Sequence, residues 1–189
     1  ASPQGWNNNM ELVLDFYNQR RAQLNTVEPN AAHFALAELE KIHDVTIITQ
    51  NVDDLHERAG STNIVHLHGE LKKMRSTLDP DLIYDCNGDI FLGDTCEKNH
   101  QLRPYIVWFG ENVPLIEVAT QICQTADILI IVGTSMQVYP AAGLVNYVAG
   151  HVQKYLIDPN PASVNIPNLR VIAEKASSGV RIVVDEILN

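Results

Sequence analysis

Apolar positions return at helical spacing in two stretches near the start of the chain. From Met10 to Leu24 they recur every three or four residues, with Asn7 to Asn9 as candidate N-caps, which predicts a helix. Pro29 and Asn30 open a second helix running to about Ile42, with Ala31, Phe34, Ala35, Leu36 and Leu39 on its apolar face. The pattern then shortens to β-branched runs at 45–48 and 64–67, separated by a helical turn from Asp53 to Ala59 that Gly60 closes. Residues 71–104 lack long apolar runs and hold the turn formers Asp79-Pro80, Asn87-Gly88 and Gly93-Asp94, so they read as a loop-rich inserted module. Order returns at Tyr105 to Phe109. Strands at 128–132, 154–157 and 169–172 then alternate with helices near 115–125, 140–149 and 176–188, an α/β alternation.

Chemistry-bearing residues gather where apolar strands give way to polar ones. The run Thr49-Gln50-Asn51-Val52-Asp53 follows the first strand, and His66-Leu67-His68-Gly69 ends the second. Buried parallel strands present their ligand crevices at these carboxyl ends. One lone histidine reads more readily as a hydrogen-bonded core residue. Polar groups clustered at two strand ends are costly to bury without a ligand or partner. The strand Ile128 to Val132 ends in Gly133-Thr134-Ser135, which suits either a phosphate or ribose cradle or a plain turn. Leu156-Ile157-Asp158 ends in a carboxylate able to hold ribose hydroxyls, with Pro159 and Pro161 allowing a simple turn as the other reading. In Arg103 to Glu111 an aromatic run enters a glycine turn. This is either an edge that pairs with an extended peptide or an ordinary buried strand.

With 189 residues, 46% of them hydrophobic, the composition fits one globular unit with a small inserted module. A formal charge of −10 argues against a nucleic-acid partner, because affinity for phosphate backbones comes mainly from Lys and Arg. It mildly favours basic protein substrates. No apolar run approaches the roughly 20 residues that cross a bilayer. Cys86, Cys96 and Cys123 are three at irregular spacing and give no disulfide framework. These observations lead to the expectation of a soluble cytoplasmic protein, off the membrane, with no statement on oligomeric state.

The chain resembles the sirtuins, NAD-dependent protein deacylases, through Thr49-Gln50-Asn51-Val52-Asp53, His68-Gly69, Phe109-Gly110-Glu111, Gly133-Thr134-Ser135 and Val138-Tyr139-Pro140-Ala141-Ala142. The resemblance implies a doubly wound, Rossmann-like parallel sheet with a small domain formed from two insertions. The small domain would comprise 1–35 and 71–104, and the Rossmann-like domain 36–70 and 105–189. In sirtuins an acyl-lysine carbonyl oxygen attacks the anomeric carbon of the nicotinamide ribose, and a base then activates a ribose hydroxyl. The products are nicotinamide, O-acyl-ADP-ribose and free lysine.

By that resemblance His68 is the base, and imidazole suits the role with an ordinary pKa of about 6.5. Gln50 and Asn51 would position the ribose, Asp53 the nicotinamide amide, and Gly133, Thr134, Ser135, Asp158 and Val180 the adenosine side of NAD. Val107, Gly110, Glu111 and Val138 would flank the acyl-lysine of a protein substrate. Tyr17 and Arg20, three apart on the first helix, match a Tyr-x-x-Arg pair of the subgroup that removes succinyl and malonyl groups. There phenol and guanidinium clasp the distal carboxylate.

Two features depart from the family pattern. Most sirtuins carry four cysteines around a structural zinc, whereas here Ser76 stands at the first position and only Cys96 clearly matches a ligand. Zinc is therefore not expected, although Cys86, Cys96 and His100 offer three ligand atoms. The family's first strand, Gly-Ala-Gly turn and Phe-Arg-Asp loop lie upstream of the segment matching Ser2-Pro3 and are not among these residues, which leaves pyrophosphate contacts unprovided. Two other functions follow as alternatives: a catalytically silent remnant that binds acyl-peptide or NAD, and a protein ADP-ribosyltransferase.

Overall fold

The computed structural model describes residues 2–161 and 163–189. Two compact units form, one from Ala1–Glu28, Thr49–Asp54 and His66–Val113, the other from Pro29–Ile48, Leu55–Val65 and Pro114–Asn189.

In the first unit α1 (Pro3–Asn8) precedes α2 (Met10–Leu24). Ser2 caps α1 by accepting the Gly5 amide at 3.1 Å, and Pro3 stands where its missing N–H costs nothing. Asn9 caps α2 through the Leu12 amide. The sequence pattern at 7–9 was thus correct for the second helix and silent on the first. The inner face of α2 buries Val13, Leu14, Tyr17, Asn18, Arg21 and Leu24.

In the segment expected to be a loop-rich module, the loops connect three strands. Strands β3 (Gly69–Ser76), β4 (Ile83–Asp85) and β5 (Leu102–Ile106) form an antiparallel sheet in the order β4-β3-β5. Strand β3 reads Gly-Glu-Leu-Lys-Lys-Met-Arg-Ser and its register with β5 slips between Glu70 and Met74. A bulge breaks the two-residue alternation, so the strand carries no clean periodic signal. Gly69 makes the pairing with β5 possible. Its φ is +82°, and a Cβ there would lie 2.0 Å from the Tyr105 carbonyl oxygen.

The second unit holds α3 (Ala31–Leu39), α4 (Leu55–Ala59), α5 (Ile116–Gln124), a 3-10 helix at Ala141–Tyr147 and α6 (Ala176–Leu188). Strands β6 (Ile128–Val132), β7 (Gln153–Ile157) and β8 (Leu169–Ile172) run parallel in that order. Alternate side chains face opposite ways. Tyr155, Ile157, Ile130 and Val132 pack with Ala32, Ala35 and Leu39 of α3 and with Val180, Val183 and Val184 of α6. Leu129 packs instead with Cys123 of α5, Val148 and Val152. Helices thus cover both faces of a parallel sheet, the doubly wound arrangement. The expected helix over 140–149 is a shorter 3-10 turn.

Strands β1 (Ile47–Thr49) and β2 (Ile64–His66) pair with each other. Hydrogen bonds from Ile47 N to Asn63 O and from Leu67 N to Thr49 O advance together along both strands, the parallel sense.

Candidate active site

Where β1 ends, the Thr49 hydroxyl accepts the Asn51 amide at 3.0 Å and turns the chain. Leu71 N then donates to Val52 O at 2.7 Å, so the segment Gln50 to Asp54 lies against the start of β3. His68 sits half-buried between β2 and β3, its Nδ1 3.2 Å from the Gln50 carbonyl oxygen. A carbonyl only accepts, which assigns the proton to Nδ1 and makes Nε2 the basic nitrogen. The His68 carbonyl in turn accepts the Val107 amide at 2.9 Å. Residues 50–54, 66–70 and 105–107 are therefore neighbours through the backbone, with Asn51 exposed and Gln50 and Asp53 half-buried.

A second group in the same unit centres on Trp108, which is 3% exposed. The Arg103 guanidinium lies 3.3 Å from the centre of its indole ring and forms a two-pronged ion pair with Glu111, at 2.7 and 3.1 Å. Glu111 also accepts the Trp108 amide at 2.8 Å. Burial opposes ionisation of Glu111. The hydrogen bonds from Arg103 and Trp108, with the charges of Arg103 and Arg75, outweigh it and hold the carboxyl below its ordinary value. Glu111, expected beside the acyl-lysine, holds its carboxylate on these internal partners. Val107 is half-buried and Gly110 is exposed at φ +92°.

Tyr17 and Arg20 take up different surroundings. The Tyr17 phenol is buried and accepts the Trp108 indole N–H at 3.0 Å. Arg20 is exposed, with its guanidinium 5.2 Å from the Phe16 ring centre and its Nη1 donating to Gln23. The buried arginine of this helix is its neighbour Arg21, which donates to the carbonyls of Leu71 and Gly88.

In the second unit the carboxyl ends of β6 and β7 lie side by side, Val132 opposite Ile157. Gly133 follows at φ +60°, with open space where a Cβ would stand. The Thr134 hydroxyl accepts the Met136 amide, Ser135 is exposed, and Asp158 accepts the Asn160 amide at 2.7 Å while remaining half-buried. Val138 is exposed. Val180, expected on the adenosine side, has its side chain wholly buried in the core, because its spacing from Val183 and Val184 puts it on the inner stripe of α6.

A model of the Sir2 family matches residues 1–140. An NAD-dependent protein deacylase of Helicobacter pylori (strain ATCC 700392 / 26695) is 56% identical over 177 residues, 93% of this chain and 77% of the relative. The chain belongs to the Sir2 family. A deacylase of the same name from Bacteroides thetaiotaomicron is 50% identical over 187 residues, covering 95% of this sirtuin and 80% of the relative. Among solved structures, a Sir2 homologue–NAD complex superposes with a TM-score of 0.89 at 34% identity, over 99% of this chain and 75% of that one. A Sir2–p53 peptide–NAD+ complex gives 0.74 at 30% identity, over 87% and 72%.

Within this sirtuin the cysteines of the β3–β5 module have separate partners. The Cys86 thiol, raised by burial, donates to Gly88 O at 3.3 Å. Cys96 hydrogen-bonds Ser76 and the amides of His100 and Lys98, which lower its thiol against the opposing effect of burial. Among the described residues neither cysteine joins a converging group of three ligand atoms, so the trio Cys86, Cys96 and His100 is not assembled. Arg103 and Trp108 lie in the aromatic run 103–111, but the sequence assigned neither of them a role of its own. An arginine beside a proline within an aromatic strand was the available signal.

Proposed function

We propose that this sirtuin is an NAD-dependent protein-lysine deacylase in which His68 is the general base. The observation that carries the reading is the Nδ1 contact with the Gln50 carbonyl, which leaves Nε2 to take a proton from a ribose hydroxyl. NAD enters as co-substrate and supplies the anomeric carbon at which the acyl oxygen attacks. Gln50, Asn51 and Asp53 hold its nicotinamide ribose end. The open backbone at Gly133, the exposed Ser135 hydroxyl, Thr134 and the Asp158 carboxylate serve its adenosine end. Val107, Gly110 and Val138 take the acyl-lysine of a protein substrate, with Glu111 stiffening the loop between them. The proposed division into a small domain (1–35, 71–104) and a Rossmann-like domain (36–70, 105–189) follows the two compact units in outline only, since α3, β3 and β5 each cross one of these boundaries.

Nicotinamide release from NAD, measured with and without acyl-lysine peptide, tests this. Release is expected to need the peptide, and His68→Tyr is expected to lower deacylation by at least about a hundredfold. Transfer of label from NAD onto protein would favour an ADP-ribosyltransferase. No turnover in the natural full-length chain would leave a binding remnant.

The acyl group is proposed to carry a distal carboxylate, as succinyl and malonyl do. In support, the contacts of Arg20 among the described residues, with Gln23 and the Phe16 face, are exposed and inexpensive to exchange for a charge-assisted bond. Arg20→Met is expected to lower kcat/KM for succinyl-lysine at least about tenfold more than for acetyl-lysine; equal losses would discard the clasp.

A further inference from the structure

Tyr17 has a hydroxyl whose bonding is half decided. Its oxygen accepts the Trp108 indole N–H at 3.0 Å, and a phenol has one hydrogen of its own. With a donor already pointing at the oxygen, that hydrogen must point elsewhere. Burial, the largest influence on this phenol, raises its pKa and keeps the proton in place as a donor.

The indole is itself fixed on several sides. Trp6 packs against it with ring centres 5.5 Å apart, and the Tyr17 ring stacks at 6.5 Å. Arg103 lies over its face, and Glu111 ties down both Arg103 and the Trp108 amide. A cation over the ring withdraws electron density and makes the N–H a stronger donor. Deleting that N–H would leave the phenol free to turn its hydrogen inward.

We propose that Trp108 is a specificity-positioning residue: its indole N–H, set by the Arg103–Glu111 pair, orients the Tyr17 hydroxyl to donate to the distal carboxylate of an acidic acyl group. The inference rests on the acid-acyl reading and adds the residue that makes it directional. An acetyl group offers no distal acceptor, so this orientation matters only for acidic acyl chains.

The test compares kcat and KM for succinyl- and acetyl-lysine peptides at saturating NAD, in the natural full-length protein and in Trp108→Phe, Tyr17→Phe and the double variant. Phenylalanine keeps an aromatic ring against Arg103 and Trp6 and removes the donor together with part of the indole's volume, a packing loss that falls on both peptides alike. Trp108→Phe is expected to lower kcat/KM for the succinyl peptide at least about fivefold more than for the acetyl peptide, chiefly through KM. Added to Tyr17→Phe it should cost the succinyl peptide less than about twofold more, since no hydroxyl remains to orient. Equal losses on both peptides, or losses that multiply in the double variant, would overturn the proposal, because a merely structural role predicts both. If Arg20→Met proves selective for the succinyl peptide and Trp108→Phe does not, only this inference fails. If neither is selective, the acid-acyl reading fails with it.

Discussion

Glu111 shows how one carboxylate can be worth more than its surface position suggests. It receives two nitrogens of Arg103, lies 3.8 Å from Arg75 and accepts a backbone amide. Its carboxyl is therefore lowered in the folded chain relative to the unfolded one, so the folded state binds fewer protons. The stability this contributes is fully present above the ordinary carboxylate value of 4.5 and is lost as pH falls through the lower, folded value. Urea titrations across that acidic range should show stability falling with pH, and Glu111→Gln should flatten part of the slope. An unchanged slope would mean that the ion pair contributes nothing to folding. Gln50, Asn51, His68 and their order were readable at this scale, because polar residues at strand ends stand out against apolar runs. The commitment of Glu111 to Arg103 was not, since eight residues of sequence do not reveal a bidentate contact.

Polar ties link the turns of the β3–β5 module. Ser76 reaches Cys96, Thr77 N donates to Gln101 O, Lys98 pairs with Asp79 at 2.6 Å, and Tyr84 bonds Glu97. Buried Leu71, Ile90 and Leu102 supply apolar packing in the same unit. We propose that these contacts hold the module without zinc. Protein purified without chelator should contain less than about one-tenth of a zinc per chain, and added chelator should leave its melting temperature unmoved. A stoichiometric metal, or a fall of several degrees, would show that the ties are insufficient. The helices α2, α3 and α6 were legible because a stripe at period 3.6 survives whatever packs on it. Strand β3 was not, because its bulge and its Lys72, Lys73 and Arg75 hide the alternation a strand normally shows.

For the molecule as a whole, the proposed co-substrate should act on stability as well as turnover. A ligand that binds only the folded state stabilises it by mass action, about 2.7 kcal/mol at a hundredfold excess over Kd. NAD at such an excess is expected to raise the melting temperature of the natural full-length protein, and Asn51→Ala to shrink that rise; no shift at any concentration would count against NAD binding. No helix among the described residues is long and apolar enough to cross a membrane. Sequence alone determined the α/β alternation, the strand-end placement of His68 and Gly133, and the family likeness, since each depends on residues near one another along the chain. Tertiary structure decided which groups are spent and which are spare. Lys154, which reads as a surface charge, is buried with its Nζ on the carbonyls of Ala149 and Val152, and the Tyr17 hydroxyl is aimed by an indole 91 residues away. Such pairings depend on which elements pack together, and local periodicity does not carry that information.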